Sequence, residues 1–290
     1  MKNYIVGMGE ALWDVLPEGK KIGGAPANFA YHMSQFGYNS IVVSAVGNDP
    51  LGDEIVMNFT EKGLQQEIAR TSYPTGTVQV TLDEQGIPQY EIKTGVAWDH
   101  IPYTPALAAI AAETKAVCFG SLAQRNEESR ETIHRFLEAM AADSMKVFDI
   151  NLRQHFYSEA LIRRSLQLCT VLKINDEEIV TVGKLFGYSE TLLQEIGTRL
   201  YEEFGLDLLI LTCGAVGSYV YRNGAWNYVE TPRVQVADTV GAGDSFTAAF
   251  CASLLNGKSV REAHEKAVAV SAFVCTQAGA MPRLPKEMVG

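Results

Sequence analysis

The sequence has no long hydrophobic run and no excess of basic residues. Although 47% of its 290 residues are hydrophobic, no apolar stretch reaches the roughly 18 residues that a membrane-spanning helix needs. Asp and Glu outnumber Lys and Arg by 34 to 24, which gives a net charge of −10. Proteins that bind nucleic acids or membrane surfaces carry stripes of basic residues, so neither class of partner is expected.

Cysteine is sparse and shows no paired spacing. The five cysteines lie mostly in apolar runs: Cys118, Cys169, Cys213, Cys251 and Cys275. Disulfide frameworks and structural zinc sites use recurrent close pairs, so buried, reduced thiols are expected instead. The chain enters a strand-like segment within a few residues of its first Met, and together these features predict a cytoplasmic protein.

Common site motifs are also missing. The five histidines have no metal-ligand spacing. No GxxxxGK[ST] phosphate loop is present, which excludes a P-loop enzyme. Gly7-Met8-Gly9 resembles the start of a dinucleotide-binding fingerprint, but Leu12 occupies the position of its third glycine.

Strand-like apolar runs recur along the chain with helical segments between them. They lie at residues 4–9, 41–46, 116–119, 146–150, 171–174 and 206–212. This alternation predicts an α/β fold with a doubly wound, mostly parallel sheet flanked by helices. Ligands of such sheets bind beyond the carboxyl ends of the strands. The length suits one domain, 1–290.

Two hairpins interrupt this pattern. From 75 to 92 apolar residues alternate, turn at Glu84-Gln85-Gly86 and return through Tyr90, which is typical of a hairpin. With the stretch near Trp13, it predicts a small β lid formed from about 13–22 and 75–93, through which a homodimer could form. A second hairpin around Asn223-Gly224 is predicted to extend the main sheet.

A turn of small residues leads into a helix at residues 238–246, which read DTVGAGDSF. The first N–H groups of a helix lack partners and carry the positive end of its dipole, so the Gly-Ala-Gly turn predicts a phosphate site. Asp244 would repel that phosphate unless it has a chemical task. A general base beside an anion site is such a task, and a plain helix cap is the alternative.

The stretch GGAPANFA at residues 23–30 precedes another predicted helix. Paired glycines let a ligand contact the backbone, and Asn28 offers a donor and an acceptor to a sugar hydroxyl. Asp14, beyond the first strand, can accept hydrogen bonds from a polyol. A loop-to-helix junction and an ordinary exposed acid are the alternative interpretations.

Polar or small residues follow three further strands. Asn175-Asp176-Glu177-Glu178 supply oxygen ligands of the kind that Mg²⁺ takes, or cap a helix. Residues 212–217 (TCGAVG) either hold nucleotide phosphates or form a turn. Arg153, close after Asp149, either balances phosphate charge or pairs with that acid.

Two signatures together resemble the ribokinase-like (PfkB) family of carbohydrate kinases, over essentially the whole chain. GGAPANFA is similar to the family's sugar-side motif, and DTVGAGDSFTAA at 238–249 is similar to its catalytic motif. GMGEALWDVLP at 7–17, leading into GGAPANFAYH, resembles the fructokinase branch.

The resemblance assigns a role to each matched residue. The catalytic set is the base Asp244 and the anion hole Gly241, Ala242 and Gly243, and Arg153 joins it as the counter-charge that its position after Asp149 predicts. The sugar set is Asp14, Gly24 and Asn28, and Gly23 and Tyr90 are further candidates for this set. The nucleotide set is Asn175, Thr212, Gly214 and Gly217 near the ATP phosphates, and Ala269, Phe273 and Gly279 near adenine. Asn175 and Glu178 would organise Mg²⁺ through water, and Asp238 with the Val240 carbonyl would hold a monovalent cation such as K⁺. The tail at 276–280 (TQAGA) departs from the family pattern, which leaves cation activation open.

The expected activity is that of an ATP- and Mg²⁺-dependent sugar kinase, specifically a fructokinase. Another neutral sugar or a nucleoside is the alternative substrate. Two other functions are considered. A sugar-binding regulator on the same fold is disfavoured, because it would not need Asp244 as a base. A dinucleotide-dependent oxidoreductase is disfavoured as well, because it would need a glycine at the position of Leu12.

Overall fold

The computed structural model describes residues 3–16, 19–82 and 88–289, with the side chains of 80–82 and 88–90 left out. Its strands are β1 (Tyr4–Met8), β2 (Leu12–Leu16), β3 (Gly19–Gly23), β4 (Ser40–Gly47), β5 (Gln65–Thr71), β6 (Gly76–Leu82), β7 (Pro88–Ile92), β8 (Thr114–Phe119), β9 (Met145–Asp149), β10 (Val171–Asn175), β11 (Leu208–Cys213), β12 (Gly217–Arg222) and β13 (Ala225–Glu230). Its helices are α1 (Ala25–Gln35), α2 (Pro50–Glu61), α3 (Pro105–Ala112), α4 (Glu127–Ala139), α5 (Glu159–Leu168), α6 (Asp176–Leu185), α7 (Leu193–Phe204), α8 (Ala242–Leu255), α9 (Val260–Cys275) and α10 (Lys286–Val289).

The main sheet has nine strands in the order β13-β12-β11-β10-β9-β8-β1-β4-β5. The seven strands from β11 to β5 in this order pair in parallel, whereas β12 pairs antiparallel with both β11 and β13. The predicted doubly wound fold is therefore confirmed. The chain runs outward from β1 to β5 and then returns to β8 on the other side of β1. Ligands of such sheets bind at this reversal, which directs attention to the residues after Met8.

The central strands are buried on both faces. All residues of β1 and β4 are buried, as expected for parallel strands covered by helices. The apolar helix α8 packs on α1 and α9, with Phe246 and Phe250 in the core. Helix α1 has Pro26 in its first turn, where no N–H is needed, and Gly37 follows its end with φ +83. These contacts fix the N-termini of α1 and α8 against the same sheet.

A separate four-stranded sheet has the order β3-β2-β6-β7. It is built from the two segments in which the lid is predicted, with β2–β3 and β6–β7 antiparallel and β2–β6 parallel. The turn at Glu84-Gln85-Gly86 and the side chain of Tyr90 lie outside the described residues.

The second hairpin and the free cysteines agree with the sequence predictions, whereas one edge strand was not predicted. The hairpin at Asn223-Gly224 is confirmed, with φ values of 52 and 82. Edge strand β5 was missed because its sequence, QQEIART, has little apolar content. All five cysteines are free, and four are buried. Among the described residues, no helix combines the length and apolarity that crossing a membrane would require.

Candidate active site

The N-terminus of α8 is open. Gly241 is the N-cap residue with φ 79, and no side chain caps the helix. A Cβ at this position would lie 2.7 Å from the Ala280 Cα, so both the backbone conformation and the close approach require glycine. Ala242 and Gly243 form the first two helical positions. The Ala242 N–H donates to the Thr239 carbonyl at 3.3 Å, and no side chain caps the remaining N–H groups of this turn, which is the kind of backbone site that binds an anion.

Asp244 lies in the first turn of this helix and is held by Asn28. The Asn28 Nδ2 donates to Asp244 Oδ2 at 2.7 Å. Burial, and next the negative charge of Asp149, raise the pKa of Asp244 to about 6, against the lowering effects of Asn28, Lys173 and Arg153. At pH 7 the carboxylate is thus mostly ionised, yet more basic than an ordinary Asp, which suits a general base.

A buried ion pair supports the anion site from below. Lys173 Nζ donates to Asp149 Oδ1 at 3.0 Å, and Thr247 Oγ1 donates to Asp149 Oδ2 at 3.2 Å. Burial lowers the pKa of Lys173, but the negative charges of Asp149, Glu178 and Asp244 outweigh it and raise that pKa. A Cβ at Gly243 would lie 3.0 Å from Lys173 Nζ. The ammonium group therefore adds positive charge directly beneath the open turn.

This pair corrects one of the sequence interpretations. The partner of Asp149 is Lys173 on the neighbouring strand, where the two residues are in register, and not Arg153. Sequence reasoning passed over Lys173 inside the run VLKIN. A Lys in a strand buried on both faces needs a buried acid, and that signal was available.

The predicted sugar residues lie at the start of α1 and on the small sheet: Gly24 and Asn28 at α1, Asp14 on β2, Gly23 at the end of β3 and Tyr90 on β7. Asn28 is 3% exposed. A Cβ at Gly24, where φ is +123, would clash with the Glu10 carbonyl oxygen, and a Cβ at Gly23 would lie 2.6 Å from Asp14 Oδ2. Burial raises the pKa of Asp14, while Arg153 and Lys21 lower it. Glycine at 23 thus lets Asp14 lie close to the backbone, and glycine at 24 leaves room for the Glu10 carbonyl.

Arg153 lies near the acids of the site but forms an ion pair with none of them. Its positive charge lowers the pKa values of Glu10, Asp14 and Asp244. Its side chain is exposed, and Nη1 donates to the Leu152 carbonyl at 3.1 Å. None of the ion pairs found within 4.0 Å among the described residues includes it. It is a cation next to three carboxyl groups, in a position to balance added negative charge.

Glu10 is a site residue that sequence reasoning missed. It follows β1 at the sheet reversal and is 4% exposed. Burial is the main cause that raises its pKa to about 7. The rule that selected Asp14, an acid beyond the end of a strand, would have selected Glu10 as well.

Asn175 and Glu178 form a closed helix N-terminus. Asn175 Oδ1 accepts from the Glu177 and Glu178 N–H groups, and Glu178 Oε2 accepts from the Asn175 N–H. Glu178 Oε1 accepts from the Leu152 N–H at 2.9 Å. Each carboxylate oxygen keeps a second lone pair, which fits a contact to metal-bound water rather than direct ligation. Among the described residues, no group of three or more His, Cys, Asp or Glu side chains could hold a metal ion, but Mg²⁺ often uses only one or two carboxylates beside substrate phosphates.

The predicted nucleotide residues lie in two regions, one at the end of β11 and the other along and after α9. Thr212, the last residue but one of β11, is in register with Asn175, and Gly214 and Gly217 follow it. On α9, Ala269 is exposed, and Phe273 is half-buried one turn later. The Ala237 N–H donates to the Cys275 carbonyl at 2.8 Å, which brings the segment before α8 beside the end of α9. Sequence reasoning missed the apolar surface here: Val216, Val234 and Val236 are 64%, 38% and 58% exposed.

Asp238 ties the tail to the anion turn. Its Oδ1 accepts from the Val240 N–H at 3.1 Å, and its Oδ2 accepts from the Gly279 N–H at 3.2 Å. Lys21 on β3 lies 4.0 Å from Asp238 Oδ2. The carboxylate proposed for a monovalent cation is therefore engaged by backbone N–H groups and by a side chain of the small sheet.

Comparison with known proteins gives concordant matches. Residues 17–287 match the model of the pfkB family carbohydrate kinases. A fructokinase of Salmonella typhimurium is 31% identical, over 97% of this chain and 95% of that protein. An ATP-dependent 6-phosphofructokinase of Thermoanaerobacterium thermosaccharolyticum is 28% identical, over 92% of this chain and 82% of its own. The structure of a fructokinase with bound ATP from Xylella fastidiosa superposes with a TM-score of 0.86 at 24% identity, covering 100% and 97% of the two chains.

Proposed function

Because the chain belongs to the PfkB family of carbohydrate kinases, we propose that it transfers the γ-phosphoryl group of ATP to a hydroxyl of free D-fructose. The observation that carries this proposal is Asp244, a carboxylate of raised pKa in the first turn of an uncapped helix and held by Asn28. A base and an anion site next to each other are what phosphoryl transfer to an alcohol requires.

In the proposed reaction Asp244 accepts the proton of the attacking hydroxyl. The oxygen attacks the γ-phosphorus, the bond from that phosphorus to the bridging oxygen breaks, and ADP leaves with its electron pair. The amides of the α8 turn and the Lys173 ammonium beneath Gly243 face the negative charge that spreads over the transferred group. Arg153 adds a second positive charge on the sugar side.

Mg²⁺ is the metal proposed for this site, since Asn175 and Glu178 carry oxygen atoms of the kind that it takes. Asn175 and Glu178 would hold it through bound water, next to the ATP phosphates. When bound, Mg²⁺ neutralises phosphate charge. A role for Asp238 and the Val240 carbonyl in holding K⁺ is part of the same proposal, and the free thiols together with ATP as donor favour a cytoplasmic enzyme.

We also propose that the small sheet acts as a lid. Its strand β3 reaches the anion-site loop through Lys21 and Asp238, at 4.0 Å. Asp14 and Lys21 lie opposite each other on β2 and β3, so one sheet carries a sugar residue and a contact to the phosphate side. Closing such a sheet over the substrates would exclude water and suppress ATP hydrolysis. A homodimer through this sheet stays a prediction.

Charge pairing favours a free sugar over a sugar phosphate. Lys20 pairs with Glu54, and Lys21 lies near Asp238, so both basic residues of the small sheet are already engaged by acids. Arg153 has no such partner among the described residues, and together with the similarity to a 6-phosphofructokinase it favours fructose 6-phosphate as the acceptor, the second candidate.

A coupled ADP-release assay decides between these acceptors. Fructose, ribose, adenosine and fructose 6-phosphate are compared at saturating MgATP, with Asp244→Asn as the control for contaminating kinases. We expect kcat/KM for fructose to be at least about tenfold above the others, because a site built around particular hydroxyls leaves polar groups unpaired with an analogue. Preference for fructose 6-phosphate would establish the second candidate and assign Arg153 to its phosphate. Preference for ribose or adenosine would retain the kinase and reject fructose.

A further inference from the structure

Glu10 is an acid buried in the candidate active site without a close cation. It is 4% exposed, and its Oε2 has no hydrogen-bond partner among the described residues. The groups that act on its charge are Arg153 from the loop after β9, Asp244 from α8, and the backbone N–H groups of Glu10 itself and of Ala25 at the start of α1. The one positive side chain in this set, Arg153, is exposed. A buried carboxylate with an unpartnered oxygen is unfavourable unless the group stays protonated.

A second unpartnered oxygen lies in the first turn of α1, on Asn28. Asn28 Nδ2 donates to Asp244, and this leaves Asn28 Oδ1 buried without a donor. Glu10 lies against the start of the same helix. Its backbone carbonyl would clash with a Cβ at Gly24, and its side-chain carboxyl group accepts a hydrogen bond from the Ala25 N–H. Ionised Glu10 and Asn28 Oδ1 are both acceptors only. A proton on Glu10 would supply a donor, which neither oxygen has while the acid is ionised.

We propose that Glu10 is a positioning residue of the active site that acts as a neutral carboxylic acid. Its O–H fixes the Asn28 amide so that Nδ2 faces Asp244, and its neutrality keeps a second negative charge away from the base. The inference rests on the proposed kinase function and adds a residue to it. Burial, which raises the Glu10 pKa to about 7, agrees with the geometry.

The sign of the pH effect follows from this arrangement. Below its pKa Glu10 is neutral, and the Asn28–Asp244 contact is supported. As the pH rises through that pKa, Glu10 ionises, its donor is lost and the site gains negative charge. The phosphates of bound ATP raise the Glu10 pKa further, so an alkaline limb in kcat/KM is expected at or above about pH 7.

The test compares Glu10→Gln and Glu10→Leu over the pH range of the wild type, with Glu61→Gln, an exposed Glu of α2, as the matched control. Gln keeps a neutral donor, so Glu10→Gln should retain kcat within about threefold at pH 6.5 and lose the alkaline limb. Leu supplies no donor, and Glu10→Leu should lose at least about tenfold in kcat at pH 6.5, with a smaller loss relative to wild type above the Glu10 pKa, where the wild type has lost its donor too. An infrared titration provides a readout independent of activity. In the difference between wild type and Glu10→Gln, the C=O band of a protonated carboxylic acid should disappear as the pH rises.

The outcomes separate the inference from the function. An alkaline limb unchanged in Glu10→Gln, or no protonated-acid band at pH 6, would overturn the role of Glu10 while leaving the kinase intact. Equal losses in Glu10→Gln and Glu10→Leu would also overturn it. Absence of sugar phosphorylation in the wild type would instead reject the proposed function, and the infrared titration would still report whether Glu10 holds a proton.

Discussion

Helices α6 and α8 begin in opposite ways. Each has an acid three residues after its N-cap residue, Glu178 in α6 and Asp244 in α8. In α6 the Asn175 side chain and Glu178 form a capping box that engages the first-turn amides. In α8 the N-cap residue is Gly241, no side chain caps the turn, and the acid is turned to Asn28 on another helix.

The difference shows where an anion can bind. A capped N-terminus has its orphan N–H groups satisfied from within, whereas an uncapped one offers them to a ligand. An acidic residue at the same helical position is thus a helix cap in α6 and a candidate general base in α8. Sequence position alone does not separate these roles, because the direction of the side chain is set by tertiary partners.

The largest effect is expected for Asp244→Asn. The amide keeps the shape of the side chain but cannot accept the proton, so kcat should fall by about 10²–10⁴. Sugar and ATP affinities, measured by calorimetry, should stay within a few-fold. Asp143→Asn, an exposed Asp, is the control. Retention of more than about a tenth of the wild-type kcat would rule out Asp244 as the base.

Closing the open turn is expected to have the next largest effect. In Gly241→Ala the new Cβ faces Ala280 at 2.7 Å on a backbone with φ +79. Strain of this kind costs about 1–3 kcal/mol, and the shifted turn should lower kcat at least about tenfold. Gly37→Ala is the matched control, since φ there is +83 with nothing within 4 Å. Similar kcat values for the two variants would show that the α8 turn is not the anion site.

Asn28→Ala separates the sugar side from the nucleotide side. Sugar KM should rise at least about fivefold, while ATP KM stays within twofold, because a hydrogen-bonding group is lost on one side only. Asn28 lowers the pKa of Asp244, so its removal should move the acid limb of the rate profile to higher pH. Equal increases in both KM values would indicate general damage instead.

The smallest effect is expected at the capped helix. Glu178→Gln keeps one acceptor oxygen and places an NH₂ group against a backbone N–H. We expect a rise in the Mg²⁺ concentration needed for half-maximal rate by about three- to tenfold, with sugar KM unchanged. Glu177→Gln, the exposed neighbour, is the control. An unchanged Mg²⁺ requirement would leave Glu178 with only its capping role.

The sequence predicted the periodic features better than the paired ones. The six parallel strands and the Asn223-Gly224 turn follow from apolar runs and turn chemistry, and the structure has them. The polar edge strand β5 lacked such a run. The contacts Asn28–Asp244 and Lys173–Asp149 join residues 216 and 24 positions apart. The local sequence does not identify these partners, although Lys173 in a buried strand indicates that some acid must lie nearby. Glu10 was missed although, like Asp14, it lies beyond the end of a strand; its burial, which sets it apart from other acids, is a tertiary property.

The most direct test of the account is the pH dependence of kcat/KM for fructose in the wild type, at pH values where the protein stays folded. The reaction needs Asp244 ionised, and burial raises its pKa to about 6, so the rate should fall tenfold per pH unit below about pH 6. The same limb should move upward in Asn28→Ala. An acid limb near the ordinary Asp value of 3.8, or a limb that Asn28→Ala leaves in place, would contradict the assignment of Asp244 as the base.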